Sequence, residues 1–318
     1  MHVDVRAHAR LHFGFLDPSR QEERRFGGMG LSISRPRCVL RLDKAATLRV
    51  EGEQADRVEI LAERFFDALE LKGGAHIRVL EAIPGHVGLG SGTQLALALA
   101  AGLSRLRGVD LSPARLCALM GRARRSGVGF HAFQRGGFVV EGGHPTGPRH
   151  PAAETPPLLL RQEFPEGWRI VLALPTSSHT VSGEAEEKAF ERLGPAPGEA
   201  VDRIARIVLM RLLPALVERD LAPFGAALAE VQELVGSCFA AVQDGLFHPA
   251  GAALVRRLKE AGACGVGQSS WGPAVYALAG DEAEEERLVG ILRRDDPGLP
   301  VISARGWNRG AAIESRST

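Results

Sequence analysis

The sequence predicts an α+β protein of two domains. Three observations point there. Strand-like and helix-like stretches occur in both halves of the chain. Its 318 residues exceed what one hydrophobic core usually serves. A Pro-, Gly- and His-rich stretch, residues 143–157 (GHPTGPRHPAAETPP), falls midway, as a surface loop or boundary does. The domains are therefore set at residues 1–157 and 158–318.

The elements follow in order. Residues 2–16 alternate as a strand does, and residues 27–42 lead from a glycine turn into a second strand. Residues 46–50 and 76–83 are further strands, with helical periodicity between them over 57–71. Ser112-Pro113 is an N-cap with proline at the first helical position, starting a helix to about Arg125. Residues 138–141 form a strand, and residues 168–174 (WRIVLAL) open the second half as another. Helices are expected over 200–218, kinked by Pro214, then over 222–242 and 250–261. A strand over 274–279, a helix over 282–294 and a strand over 301–304 complete the pattern. The tail from Gly310 is expected to fray.

Composition narrows the function. Net charge is +1, so no bulk electrostatic attraction favours nucleic acid or a membrane surface. The four cysteines, Cys38, Cys117, Cys238 and Cys264, are scattered without a C-x-x-C pair, which argues against structural zinc and a disulfide framework. No signal-peptide pattern opens the chain, and no apolar run reaches the roughly 18 residues of a membrane helix. These features together imply a cytoplasmic protein.

The most informative stretch is Pro84–Gln94, PGHVGLGSGTQ, followed at once by an apolar helix pattern. Its glycines let the backbone turn sharply and approach a ligand closely. Ser91 and Thr93 are placed to cap the helix start, whose N–H groups and dipole then face the loop. That combination suits an anionic group, most naturally phosphate. The loop lacks the Gly-Lys-Ser/Thr ending of a P-loop and is not a clean G-x-G-x-x-G.

Three separated segments resemble the GHMP kinase superfamily. They are ARLHFGFLD (Ala9–Asp17) with GGMGLSI (Gly27–Ile33), the loop PGHVGLGSGTQ, and AGACGVGQSSWGPAVYAL (Ala261–Leu278). The resemblance spans nearly the whole chain. It implies an N-terminal ribosomal protein S5 domain 2-like domain, a C-terminal ferredoxin-like domain, and a ligand in the cleft between them. Kinases of this superfamily often carry S-G-x-D before a Gly-Gly pair, the Asp being the catalytic base. Here Ser126-Gly127-Val128-Gly129 precedes Gly136-Gly137, so glycine stands where that base would be. Gly92-Thr93-Gln94 likewise replaces Ser-Ala-Ala.

One branch of the superfamily looks similar in these very departures: the β-ribofuranosylaminobenzene 5′-phosphate synthases. That resemblance implies condensation of phosphoribosyl pyrophosphate with 4-aminobenzoate, or 4-hydroxybenzoate, releasing pyrophosphate and CO2 in methanopterin biosynthesis. It also implies a homodimer, and Mg²⁺ is expected to accompany the diphosphate substrate. The alternative is an ATP-dependent kinase of the same superfamily using another base.

Candidate catalytic residues are His12, Asp17, Arg125 and His131. Candidate substrate- and phosphate-binding residues are Arg10, Gly88, Gly90, Ser91, Gly92, Thr93, Gln94, Ser126, Gly267, Gln268, Ser269 and Trp271. Alternation puts Arg10 and His12 on one strand face, where a basic pair could hold an anion or simply be solvated. Asp17-Pro18 could equally be a turn, His131 a structural histidine and Trp271 a core residue rather than a stacking partner. Arg24 and Arg25 read as a solvated loop or a lid. The stretch His179–Glu184, with Ser182 as cap, could hold the aryl acid's carboxylate.

Overall fold

In the computed structural model, which describes residues 2–18, 24–146, 155–176, 192–193 and 198–316, the N-terminal alternation becomes a long antiparallel pair. β1 (His2–Asp17) runs against β2 (Arg24–Ala45), with register shifts between His8 and Arg10 and between His12 and Gly14. β3 (Arg49–Gly52), α1 (Ala55–Ala68) and β4 (Gly74–Glu81) form a parallel crossover, and β4 pairs with β2. α2 (Ser91–Arg107) follows the glycine loop and packs beneath the sheet through Leu95, Ala98, Leu99 and Leu103. Gly102 lets it approach closely, since a Cβ there would lie 2.8 Å from Leu42 Cδ1.

The expected helix after Ser112 is shorter than its periodicity implied. Ser112 does cap α3 (Pro113–Leu119), accepting the Arg115 N–H at 3.2 Å. The chain then leaves the helix through left-handed Gly121 (φ 65°) and Ala123 (φ 59°). A separate helix, α4 (Val128–Arg135), begins where no helix was anticipated. It precedes β5 (Phe138–Glu141), the two-residue β6 (His144–Pro145), β7 (Leu158–Gln162) and β8 (Arg169–Ala173).

The second half contains α5 (Gly198–Ile207) and α6 (Leu213–Glu218), separated by a π turn at Val208–Leu212. That turn is how the chain accommodates Pro214, which cannot donate an i→i−4 bond. α7 (Leu221–Gln243), α8 (Pro249–Glu260), β9 (Cys264–Gln268), β10 (Val275–Ala279), α9 (Glu282–Asp295), β11 (Val301–Arg305) and β12 (Ala312–Arg316) follow. β11, β8, β10 and β9 form a four-stranded antiparallel sheet.

One expectation needs correcting. The C-terminal tail does not fray: β12 pairs antiparallel with β1, from His2 opposite Arg316 to Arg6 opposite Ala312. β7 pairs with β5 in the same N-terminal sheet. Both segments lie beyond residue 157 and extend the sheet built on β1 and β2. One apolar core runs through both halves, from Val3 to Ala304.

α7 is also longer and more apolar than anticipated. It has 23 residues, and an 18-residue stretch of it reaches a mean hydropathy of 1.2, enough to cross a membrane by length and composition. Its Phe224, Ala227, Leu228 and Val231 are instead buried in the core against β9 and β1, the packing of an interior helix.

Candidate active site

The chain passes from β4 to α2 through a loop that two glycines shape. Gly88 (φ 88°) and Gly90 (φ 76°) are left-handed. A Cβ at Gly88 would lie 2.2 Å from the Ser269 carbonyl oxygen, and one at Gly90 would lie 3.0 Å from Arg10 Cγ. Gly90 is the N-cap of α2, and no side chain caps it. The expected caps, Ser91 and Thr93, already lie inside the helix. The Thr93 and Gln94 N–H groups return to Gly90 O at 3.1 and 3.0 Å. Those of Ser91 and Gly92 come too early for an intrahelical acceptor, so the positive end of α2 faces the loop.

Arginines gather at that end. The position of a Cβ on Gly92 lies 2.7 Å from Arg57 Nη2 and 3.4 Å from Arg122 Nη1. Burial, then the neighbouring Arg57 and Arg64 guanidinium groups, lower the Arg122 pKa, and burial lowers that of Arg57. Arg122 Nε is buried without a hydrogen-bond partner. Arg10 packs against Gly90, and its Nη1 donates to Gly88 O at 2.6 Å.

The second glycine-rich segment braces the first. Ser269 Oγ donates to Gly88 O at 2.7 Å and accepts the His12 N–H at 3.0 Å. The His12 ring is nearly fully buried, and burial with the nearby Arg10 charge pushes its pKa down to about 3. It is therefore neutral. Its Nδ1 accepts the Gly14 N–H at 3.2 Å, which places the ring proton on Nε2, 3.0 Å from Ser126 Oγ. The β1 irregularity between His12 and Gly14 makes that backbone contact. Ser126 in turn hydrogen-bonds Glu141, whose Oε1 and Oε2 accept the Gly127 and Gly143 N–H groups at 3.1 and 2.7 Å. Glu141 is fully buried, and desolvation raises its pKa to about 7 against the pull of those hydrogen bonds.

His12 also lines a cavity of about 420 Å³, counted with the solvent at its mouth, between β1 and α7. Phe15, Phe239, Trp271 and Phe247 supply apolar walls. Trp271 meets Phe239 edge-on, with ring centroids 4.9 Å apart. Gln232, Gln243, Gln268 and Ser270 add polar edges. The lining thus sets aromatic faces beside hydrogen-bonding edges.

Comparison with known proteins agrees with this architecture. Residues 56–137 match the GHMP kinases N terminal domain, and residues 212–297 match GHMP kinases C terminal. The β-ribofuranosylphenol 5′-phosphate synthase of Methanothermobacter thermautotrophicus is 32% identical, over 95% of this chain and 96% of its own. The synthase of the same name from Archaeoglobus fulgidus is 34% identical, over 98% and 99%. The chain belongs to the β-ribofuranosylphenol 5′-phosphate synthase family. It is an enzyme, a transferase within the GHMP superfamily. A putative homoserine kinase from Listeria monocytogenes shares its fold with a TM-score of 0.66 at 17% identity, covering 99% of this chain and all of that one. Mevalonate diphosphate decarboxylase from Staphylococcus aureus does so with 0.67 at 14%, covering 99% and 98%.

In this member of the synthase family the residues nominated from sequence divide into groups. Arg10, His12, Gly88, Ser126 and Ser269 form one connected cluster, with Gly90, Ser91, Gly92, Thr93 and Gln94 at the helix start. Gln94 Nε2 donates to Gly129 O at 2.8 Å, and a Cβ on Gly129 would lie 3.1 Å from Thr93 Cγ2. Trp271 lines the aromatic cavity. Gly267 and Gln268 brace the fold around it. A Cβ on Gly267 would lie 2.5 Å from the Tyr276 hydroxyl, and the Gln268 side chain accepts the His248 N–H and donates to Ser270 O. His131 Nε2 donates to Pro156 O at 2.8 Å. Asp17 ends β1 opposite Phe26, and Arg125 lies in the turn before α4. Arg24 donates to Gly142 O and Gly143 O, tying β2 to the end of β5. His179–Glu184 lies outside the described residues.

Sequence reasoning passed over Arg57, Arg122, Glu141 and the cavity-lining Phe15, Phe239 and Gln232. Only Glu141 left a signal, a carboxylate closing an apolar strand beside Gly142-Gly143.

Proposed function

We propose that this enzyme transfers the phosphoribosyl group of phosphoribosyl pyrophosphate to the carboxylate-bearing ring carbon of 4-hydroxybenzoate or 4-aminobenzoate. One observation carries the proposal. An anion-directed loop and an aromatic-walled cavity meet at His12, which is tied to Gly88 through Ser269 and lines the cavity itself. The phenol in the relatives' printed name favours the hydroxy acid. A C-riboside 5′-phosphate formed this way suits tetrahydromethanopterin synthesis in the cytoplasm.

The chemistry explains the missing base. The C1–O bond to the diphosphate breaks, and its electron pair leaves with pyrophosphate. The ring's π electrons form the new C–C bond at C1. The electron pair of the C–carboxylate bond then returns to the ring as CO2 departs. No proton passes to the protein, so neither Gly129 nor a neutral His12 is a defect. A kinase must accept a proton from its alcohol, and the nearby Glu141 carboxylate has both oxygens engaged. His12 and Ser126 position the two substrates' meeting point, while Phe15, Phe239 and Trp271 hold the ring against water.

Mg²⁺ fits this site as part of the substrate. Among the described residues no group of three or more His, Cys, Asp or Glu side chains could hold a metal ion. A magnesium ion would be held chiefly by the diphosphate oxygens, the mode it favours with phosphorylated ligands.

The test supplies purified protein with phosphoribosyl pyrophosphate, Mg²⁺ and either carboxyl-labelled acid. Equal release of labelled CO2 and pyrophosphate without ATP is the expected result. No release, with ATP consumed on a small alcohol, would return the enzyme to the kinases.

A further inference from the structure

We propose that Arg57 and Arg122 grip the diphosphate leaving group at the start of α2, and that the 5′-phosphate binds elsewhere. The inference rests on the transferase reading and assigns its two phosphate groups.

Several arginines elsewhere pair with carboxylates: Arg37 with Glu81, Arg41 with Asp4, Arg78 with Asp43, Arg169 with Glu285, and Arg203 and Arg211 with Glu230. Among the described residues no carboxylate pairs with Arg57, Arg64 or Arg122. Arg57 Nη1 donates to Gln54 Oε1 across a long 3.4 Å. Arg64 lies near Gly121, its Nη2 3.1 Å from the position of a Cβ there. Guanidinium groups this close repel one another and are partly desolvated. A bound polyanion would relieve both costs.

Two features select the diphosphate over the 5′-phosphate. The first is charge: two guanidinium forks, the α2 dipole and the Ser91 and Gly92 N–H groups together exceed what one monoester phosphate neutralises. The second is mechanism. The electron pair of the breaking C1–O bond arrives on the diphosphate. Positive charge placed there therefore binds the transition state more tightly than the ground state. The same charge on the 5′-phosphate would lower the barrier by nothing.

The experiment is calorimetric titration of the intact enzyme, without Mg²⁺, with inorganic pyrophosphate, orthophosphate and ribose 5-phosphate in turn. Wild type should prefer pyrophosphate to orthophosphate by about ten-fold or more. Arg57→Gln and Arg122→Gln should each weaken pyrophosphate by about ten-fold and ribose 5-phosphate by less than about three-fold. Arg105→Gln, the same charge change in the last turn of α2, should leave both unchanged. Arg57→Lys and Arg122→Lys keep the charge without the fork and serve if a glutamine variant misfolds; they should fall between. Equal affinity for the two inorganic anions overturns the assignment. So does a loss confined to ribose 5-phosphate, or a loss shared by Arg105→Gln. Because binding is read without turnover, selective pyrophosphate binding by a protein that releases no CO2 would leave the grip standing and bring down the transferase reading alone.

Discussion

The two glycine-rich segments look alike in sequence and do opposite work. Pro84–Gln94 ends in a helix start whose first N–H groups have no intrahelical acceptor and which faces Arg57 and Arg122, neither paired with a carboxylate among the described residues. Cys264–Trp271 engages its polar side chains chiefly with the protein itself. Ser269 Oγ bridges His12 and Gly88, and Gln268 links His248, Gln243 and Ser270. Glycine in the first segment exposes donors; glycine in the second lets strands and side chains close up behind them. Composition reports only that backbone comes near something. Whether that something is a ligand or the protein itself depends on where the donors point.

Substitution at the junction of the two segments should produce the largest effect. Gly88→Ala forces a left-handed alanine and drives its Cβ to within 2.2 Å of Ser269 O. Backbone strain and overpacking together should cost about 4 kcal/mol, visible as a lower urea midpoint. Gly92→Ala is its counterpart. Gly92 is not left-handed, and its nearest obstacle is the movable tip of Arg57. Stability should change by less than about 1 kcal/mol, while pyrophosphate affinity falls as the new methyl displaces that guanidinium. Equal destabilisation by both substitutions would erase the distinction.

How far the site was legible follows from this difference. The elements around it were readable because alternation and helical periodicity are local: β1, β2, α2, α7 and β10 lie where the pattern places them. The loop and His12 were readable through motif spacing. Arg57 was not, because α1 reads as an ordinary amphipathic helix, and nothing local says that one side chain reaches Gly92. Arg122 was hidden for a related reason, since the expected helix was drawn straight through the turn at Gly121 that presents it. β12 was missed because a charged pentapeptide becomes a strand only when β1 offers it an edge.

A second break targets the buried carboxyl behind Ser126. Glu141 has a native pKa of about 7 against the ordinary 4.5. Between those values the unfolded chain has lost the proton that the native state keeps. Stability from this group is thus full below about pH 4.5 and drains away as pH rises to about 7, a total of about 3 kcal/mol. The low pKa values of His8 and His12 work in the opposite direction, so only a difference measurement isolates it. The unfolding free energy of wild type minus that of Glu141→Gln should fall by about 3 kcal/mol between pH 4.5 and 7.5. A constant difference would mean that Glu141 stays ionised and acts as a fixed anion beside Ser126.

The smallest effect should come from His131, which the kinase-like spacing placed next to the missing base. Its ring is buried, desolvation lowers its pKa, and its Nε2 proton is held by Pro156 O. It belongs with Gln268 and Ser269 as a donor already engaged inside the fold. His131→Gln can keep a hydrogen bond to Pro156 and should cost about 1 kcal/mol, with turnover changed less than about three-fold, since no bond to the reacting groups is lost. A drop in kcat of a hundred-fold or more with unchanged stability would place His131 on the open side of the comparison, beside Arg57 and Arg122, and would require the Pro156 contact to release when substrate binds.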